Sequence, residues 1–584
     1  MSNKIKDKDD QLFSNSLNTP LNKISNEELI NKINFKKKIS IIILIASIII
    51  IIIYLIIISQ YANEKEGEKE KPKIKTKTNK IIAKLEVKTV YYNINLMNER
   101  YEDVDEYIES MKLNGETINN TQFYSFYIPG NYTLEINFKK PLNSTEEMFE
   151  NCYELTEIDL TQLNFENIIN MTDMFYGCFN LESINVSNID APKLKNISGM
   201  FRKCTSLNSI NLSSFKANKL EDISKLFQED NKLNDIKINN FGSLRINNMN
   251  LCFHLCKSLT SLDLSNFETP NVTNMYGLFY KCAFLEILNI NNFNTSNVLN
   301  MQKMFSECSS LTSINISNFD TSKVTDMTEM FSDCNELTSI DLSNFNTKNV
   351  QYMSYMFSDC LSITSLDLGS FDTSNTISMD AMFMDCISLS DLNINKFNTS
   401  KTLFMSYMFQ ECNSLTSLNL RNFNTANVDD MTCMFLNCNS LIEIKVDNFD
   451  TSKVEDMSYM FYGCANLTNI NLKNFNTSNV IRMNNMFEKA SQLISLDLSS
   501  FDTSNISDMS LLFNNCSSLE FINISSFQID NDINFENSFN NLAETGKIIY
   551  DSNKLTNEFI NLFPMNWDLD DINENMTNIK FIFE

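Results

Sequence analysis

Residues 331–357 of this chain read FSDCNELTSIDLSNFNTKNVQYMSYMF, and variants of this stretch recur along most of the sequence. Its first residue, Phe331, and its last, Phe357, belong to a series of phenylalanines that are spaced by 26 residues without an insertion. A fixed period of this length is typical of a solenoid, in which each repeat forms one rung that stacks on the next. The sequence therefore predicts one repeat array over residues 149–539. The periodic residues are Phe149, Phe175, Phe201, Phe227, Phe253, Phe279, Phe305, Phe331, Phe357, Phe383, Phe409, Phe435, Phe461, Phe487, Phe513 and Phe539.

Within one rung, the apolar pattern predicts a strand followed by a helix. Ile340 and Leu342 flank Asp341, and this alternation predicts a short strand with the two apolar side chains inward and the aspartate outward. The apolar residues from Val350 to Phe357 are spaced to lie on one face of a helix of about two turns. The predicted fold class is α/β. We expect a right-handed, leucine-rich-repeat-like solenoid with a parallel sheet on one side and short helices on the other.

The fifteen cysteines could suggest zinc sites or disulfides, but thirteen of them lie three residues after a periodic phenylalanine. One ligand every 26 residues does not provide the paired ligands of a zinc site. A column of small buried thiols explains the spacing better. Neighbouring rungs are close enough for sporadic disulfides, so that alternative stays open.

The methionines are also periodic, since 23 of 29 fall in two columns of the repeat. Methionine can bind soft metals, but Ile197, Ile223 and Leu278 replace it within these columns. An aliphatic side chain can replace a core residue and cannot replace a metal ligand. We therefore predict core packing, with no metal site and no cofactor.

The N-terminal part contains a run of Ile and Leu over residues 39–59, which is long enough to span a bilayer. A cleaved signal peptide would have a shorter apolar region and a small-residue cleavage site. Three lysines at 36–38 abut the run and favour a cytoplasmic N-terminus. The sequence predicts a single-pass anchor in the plasma membrane with the repeats outside the cell.

These patterns divide the chain into six segments. A polar, disordered cytoplasmic tail at 1–38 precedes the transmembrane helix at 39–59 and a charged linker at 60–80. Alternating apolar residues predict a β-rich N-terminal cap at 81–148, which would cover the open end of the solenoid. The solenoid at 149–539 is followed by a C-terminal cap at 540–584.

Charge and motif content exclude several functions. The formal net charge is -26, which argues against nucleic-acid binding because that requires Lys and Arg to neutralise phosphates. The single histidine, His254, occupies a variable column and is predicted to lie on the surface. No nucleophile motif or phosphate-binding loop is present, so we predict that the chain is not an enzyme.

The segment FDTSKVTDMTEMFSDCNELTSIDLSNFNT at 319–347 closely resembles the BspA-like leucine-rich-repeat surface proteins. The resemblance extends over about 132–539 and rests on the Phe-Asp-Thr-Ser, Met-Phe, Cys and Leu-x-x-Leu-x-Leu elements at fixed offsets. The rungs around 201–241 depart from this pattern. The resemblance implies display on the cell surface and adhesion or partner binding, without a catalytic motif.

The outward residue of each predicted strand forms a ladder that could bind a partner, because solenoids commonly bind through their extended faces. The expected partner is an extracellular protein or glycan. Asn and Asp could instead simply solvate an exposed sheet, and calcium binding is a third option. The alternative functions are a structural coat or spacer, or an internal scaffold if the topology is reversed. The candidate binding residues are Asp263, Asn289, Asn315, Asp341, Asp367, Asn393, Asn419 and Asp497.

Overall fold

The computed structural model of this chain describes residues 78–101, 104–530 and 532–573. The predicted tail, the predicted membrane span at 39–59 and most of the linker lie outside these residues. In the described ranges, no helix is both long enough and apolar enough to cross a bilayer. The membrane anchor therefore stays a prediction. The described residues belong to one compact unit.

The first part of this unit is a β-rich cap that continues into the solenoid. β1 lies in the middle of a six-stranded sheet with the order β4-β3-β6-β1-β7-β8. It pairs antiparallel with β6 and with β7, the first strand of the repeats, so the cap covers the end of the array. The cap elements are β1 (Lys80–Val87), β2 (Asn93–Asn95), α1 (Val104–Tyr107), β3 (Ile108–Leu113), β4 (Glu116–Ile118), β5 (Phe123–Ser125) and β6 (Gly130–Phe138).

The repeats form a parallel β-solenoid of about 15 turns, as the 26-residue period predicts. The sheet is interrupted: most of its strands pair in twos, and the rungs at 313–315 and 339–341 have no assigned strand. Even so, Leu342 is buried and Asp341 exposed. The strands are β7 (Leu155–Asp159), β8 (Ser183–Asn185), β9 (Ser209–Asn211), β10 (Asp235–Lys237), β11 (Ser261–Asp263), β12 (Ile287–Asn289), β13 (Ser365–Asp367), β14 (Asp391–Asn393), β15 (Ser417–Asn419), β16 (Glu443–Lys445), β17 (Ser495–Asp497) and β18 (Phe521–Asn523).

A second parallel ladder runs along the whole array without interruption. It consists of single bridges between residues 26 apart, beginning with Ser144 and Asn170 and ending with Asp508 and Asn534. Each rung thus has a fixed register with the next even where the sheet is broken. The continuity of the solenoid depends on this ladder more than on the sheet.

The prediction of a short helix in each rung is wrong. The N–H of Met353 donates to the Ser378 carbonyl at 3.0 Å, and the N–H of Tyr355 donates to Asp380 at 2.8 Å. Both acceptors belong to the next rung, whereas the N–H of Met356 bonds within its own rung to Met353. The segment is therefore a series of tight turns. The apolar spacing is correct for burial on one side, but alternate backbone N–H groups bond between rungs instead of along a helix. Among the described residues, helices occur only in the two caps.

These turns need left-handed backbone conformations twice in each rung. Tyr355 and Asp359 have φ of 57° and 59°. Glycine adopts such angles without steric cost, and Gly463 occupies the same column as Asp359. Non-glycine residues pay a steric cost of about 1–2 kcal/mol there. We infer that the hydrogen bonds to the next rung offset this cost.

The core consists of stacked columns of identical side chains. Phe357 lies between Phe331 and Phe383, with ring centroids 5.7 and 6.1 Å apart and nearly parallel planes. The periodic phenylalanines and the methionine columns are buried along the array. Core packing of the methionines is therefore what the structure shows.

All fifteen cysteines are free and buried. In most rungs the thiol donates to a phenylalanine carbonyl of the preceding rung, as Cys282 does to Phe253 at 3.0 Å. Burial raises the pKa of Cys282 to about 12, so the thiol is neutral. The column is thus a series of small, weakly donating core groups and contains no disulfide.

The threonine of the Phe-Asp-Thr-Ser element joins adjacent rungs. The hydroxyl of Thr399 donates to the carbonyl of Asn424 at 2.9 Å and accepts from the N–H of the same residue at 2.7 Å. Both polar groups of one backbone position in the next rung are thereby satisfied by a single buried side chain. The same pair of bonds is made by Thr269, Thr295, Thr321, Thr373, Thr425, Thr451, Thr477 and Thr503.

The C-terminal cap extends the sheet by two strands. β19 (Lys547–Tyr550) and β20 (Asp568–Asp571) continue the parallel pairing that begins at β18. Between them lies the short helix α2 (Asn557–Ile560). Trp567 is buried, and its Nε1 donates to the Ala543 carbonyl at 3.0 Å. This side chain covers the last rung.

Candidate binding surface

The eight predicted binding residues lie in one column on the exposed side of the solenoid. Asp263 in β11 is directly opposite Asn289 in β12, and Asp367 in β13 is directly opposite Asn393 in β14. All eight are exposed or half-buried. The structure therefore brings these residues together as predicted, while their binding role stays a prediction.

Each of these side chains also stabilises the turn that follows its strand. The Oδ1 of Asp341 accepts from the N–H of Ser343 at 3.0 Å, and Asp367 accepts in the same way from Gly369 at 3.0 Å. The acceptor always lies two residues before the donor, which closes the turn at the end of the strand. Each side chain of the column thus already accepts one hydrogen bond from the backbone of its own rung.

The same bonds favour the ionised form of Asp263 and Asp341. The hydroxyl and the backbone N–H of Ser343 lower the pKa of Asp341, and the backbone N–H and hydroxyl of Ser265 lower that of Asp263. Hydrogen bonds to the charged form of a carboxyl favour that form. The column is therefore negative wherever an aspartate occupies it.

Contacts between rungs align the column further. The Nδ2 of Asn393 donates to Asp367 at 2.7 Å, and the Nδ2 of Asn523 donates to Asp497 at 3.0 Å. Asp367, Asn393 and the exposed Asp391 line a shallow depression of about 520 Å³. The surface is rigid and open, which suits an extended partner better than a small enclosed ligand.

Two other predicted features can be placed. Among the described residues, no group of three or more His, Cys, Asp or Glu is arranged to hold a metal ion. His254 is half-buried instead of fully exposed: its Nδ1 lies 2.9 Å from the Nε2 of Gln228, and its ring stacks on Tyr280. Burial, followed by Lys281 and Arg202, lowers the pKa of His254 to about 4, so it is neutral at pH 7.

The sequence analysis did not identify the turn-closing role of the column. The signal was present in the small residues two positions later, such as Ser343, Gly369 and Ser499. An Asp or Asn followed at that offset by Ser or Gly is typical of a side chain that accepts from its own backbone. The alternating strand pattern shows only that the side chain points outward, and it does not reveal this bond.

Comparison with known families gives one match. The family model described as "Mycoplasma protein of unknown function, DUF285" matches residues 143–261, 210–287, 230–314, 274–390, 362–444 and 439–551, which overlap along nearly all of the repeats. No curated protein matches the chain.

The solved structures that match this chain include two leucine-rich repeat proteins. A leucine-rich repeat protein from Bacteroides ovatus is 16% identical, with a TM-score of 0.42; the comparison covers 70% of this chain and 88% of that one. A leucine-rich cell surface protein from Faecalibacterium prausnitzii is 13% identical, with a TM-score of 0.22, covering 66% and 76%.

Proposed function

This chain belongs to the DUF285 family, and we propose that it is a membrane-anchored, non-catalytic cell-surface protein that recognises a protein or glycan along its solenoid. The repeat fold is a scaffold for recognition, because each rung adds side chains at fixed positions to one extended surface. Recognition by this surface needs no pocket and no cofactor.

The observation that carries the proposal is the column of exposed Asp and Asn side chains on the sheet side, which hydrogen bonds hold in place. From Asp263 to Asp497 it extends over nine repeats, about 43 Å at the usual spacing of about 4.8 Å between strands. The side chains are held by bonds such as that from Ser343 to Asp341. A prearranged surface loses little conformational entropy on binding, which favours affinity.

The anchoring part of the proposal rests on the sequence. The apolar run at 39–59 has the length of a bilayer span, and the lysines at 36–38 favour a cytoplasmic N-terminus. A folded domain after the span can be translocated whatever its charge. The repeats would then face the outside of the cell.

A structural coat or spacer is the second candidate function. It is favoured by the hydrogen bonds that the column makes within the protein, because a solvated and self-satisfied sheet side needs no partner. An internal scaffold is the corresponding function if the topology is reversed.

The double variant Asp341→Lys with Asp367→Lys distinguishes a recognition function from a structural coat or spacer. We expect loss of binding, because two central negative charges become positive. Lysine cannot accept the turn bonds from Ser343 and Gly369, but the loss of about 0.5–1.5 kcal/mol per bond at this exposed column is too small to unfold the array. The measurement is binding of labelled full-length protein to a glycan array and to immobilised extracellular-matrix proteins.

The matched control is Asp341→Asn with Asp367→Asn, which keeps the acceptor for the turn and removes only the charge. Thermal unfolding followed by circular dichroism checks both variants for folding. Unchanged binding of the lysine variant, or no binding of the unmodified protein to any target, would contradict recognition by the sheet side.

A further inference from the structure

A different surface, formed by the tight turns of the rungs, carries two pairs of exposed aromatic side chains. Tyr352 and Tyr355 belong to one rung, and Phe404 and Tyr407 to the second rung after it. Their exposed fractions are 42%, 38%, 43% and 36%, which is high for aromatic residues. Exposed aromatic side chains that lie together often mark a binding site.

The rung between the pairs leaves the space between them unfilled by long side chains. Ser378 is bridged on one side to Tyr352 and on the other to Phe404, so the three residues lie in line. Ala381 occupies the same position between Tyr355 and Tyr407, and both small residues are buried. The backbone positions of the two pairs are therefore about 9.6 Å apart, twice the spacing of neighbouring strands, and the pairs border the gap over Ser378 and Ala381 as its two walls.

The rings of the two walls do not contact each other. Aromatic residues in directly adjacent rungs stack, as Tyr153 does on Phe179 with centroids 5.3 Å apart. In the described part of the chain, the ring contacts of these rungs join buried phenylalanines and involve none of the four wall residues. A flat or rounded group can therefore enter between them without displacing a stacked partner.

A carboxylate lies at the base of this space. Asp380 is half-buried, and it accepts from the hydroxyl of Ser378 at 2.6 Å and from that of Ser406 at 3.1 Å. Burial raises its pKa, opposed by the two serines, and the nearby charge that acts on it is Asp430. No Lys or Arg among the described residues forms an ion pair with Asp380; the nearest ion pairs join Lys303 to Glu329 and Arg482 to Asp456.

Further negative charge flanks both walls. In the bridge ladder, Asp326 directly precedes Tyr352 and Asp430 directly follows Phe404. Carboxylates on both sides attract a cation to the space between the rings.

We propose that Tyr352, Tyr355, Phe404 and Tyr407, with Asp380 at the base, form an aromatic box that binds a quaternary ammonium group. A cation midway between the walls lies about 4.8 Å from each, within the roughly 6 Å over which a ring attracts a cation. The box is on a different surface from the sheet column and does not depend on that column binding anything.

The hydrogen bonds at the base favour a quaternary over a primary ammonium. Both oxygens of Asp380 already accept from serine hydroxyls. A lysine ammonium has three donors that need acceptors when it leaves water, whereas a quaternary ammonium has none. The aromatic faces and the net negative charge are sufficient for the latter.

Choline and its neutral isostere 3,3-dimethylbutan-1-ol test the box directly. Both are titrated into the full-length protein in a detergent without choline groups, and binding is followed by saturation-transfer NMR and calorimetry. We expect choline to bind at least tenfold more tightly, because only the charged ligand gains from the rings and Asp380. No binding of choline, or equal binding of the alcohol, would overturn the proposal.

Variants locate the site. Tyr355→Leu and Tyr407→Leu are expected to weaken choline binding at least tenfold, and Asp380→Asn to weaken choline binding without affecting the alcohol. Tyr153→Leu, an exposed tyrosine stacked on its neighbour, is the control and should leave binding unchanged. Choline binding that survives both wall variants contradicts the assignment, as does methylammonium binding as tightly as choline, which would indicate a lysine side chain as the ligand. The choline–alcohol comparison needs no variant, so it decides even if a variant fails to fold.

Discussion

Replacing Phe357 with alanine is expected to destabilise the solenoid by about 3–5 kcal/mol, the usual loss when a buried aromatic side chain is truncated. Phe357 has no exposed surface and stacks on Phe331 and Phe383 in the middle of the array. The variant leaves a cavity that the neighbouring rungs cannot fill, because their backbone positions are fixed by bonds between rungs. Each rung contacts only its neighbours, so the loss also weakens the coupling between the two halves of the array.

Urea unfolding followed by circular dichroism measures this loss. We expect a lower midpoint and a broader or divided transition, because the halves then unfold more independently. Phe357→Leu is the control and should lose less, since it keeps most of the apolar volume. A loss below about 1 kcal/mol for the alanine variant would show that this column does not form the core.

The threonine column gives the second large effect. Thr373→Val, Thr399→Val and Thr425→Val together are expected to cost about 1–3 kcal/mol per site, because each change removes two hydrogen bonds to the backbone of the next rung, each of about 0.5–1.5 kcal/mol. Thr399, for example, satisfies both backbone groups of Asn424. Valine has nearly the same shape as threonine and stays buried, so the variant and the unmodified protein differ mainly in the hydroxyl group.

The matched control replaces the same three residues with serine, which keeps the hydroxyl and loses a methyl group. We expect the serine variant to be clearly more stable than the valine variant in the same urea titration. Equal stability of the two variants would contradict the role of the hydroxyls between rungs.

These two columns explain why most of the fold could be predicted from the sequence. Register and burial follow from a period that never slips, so the core positions of Phe331, Cys334 and Leu342 are read directly from their recurrence. A buried residue in a solenoid must repeat, because it packs on its equivalents in the rungs on either side.

The helix prediction failed for a reason that the apolar pattern does not contain. Val350, Met353 and Phe357 are inward in a helix and in a series of tight turns alike. The distinguishing feature is the left-handed conformation of Tyr355 and Asp359. Only the occasional glycine in these columns, such as Gly463, indicates it in the sequence.

The candidate sites were harder to predict, because the most regular residues are already used for structure. The Asp and Thr of Phe-Asp-Thr-Ser bond within and between rungs, as Asp372 does to Ser374. The recurrence of these residues alone therefore does not distinguish a binding role from a structural role. Tyr352 and Phe404 occupy a column that elsewhere contains Asp, Asn, Ser or Arg, and only the stacking of rungs shows that Ser378 alone separates them.

Protease treatment of intact cells, followed by mass spectrometry of the released peptides, tests the proposed surface function most directly. The account predicts release of peptides from the repeats at 149–539 without permeabilisation, because the array is placed outside the cell by the anchor at 39–59. Protection of the repeats in intact cells, with cleavage only after permeabilisation, would contradict a surface protein and favour an internal scaffold.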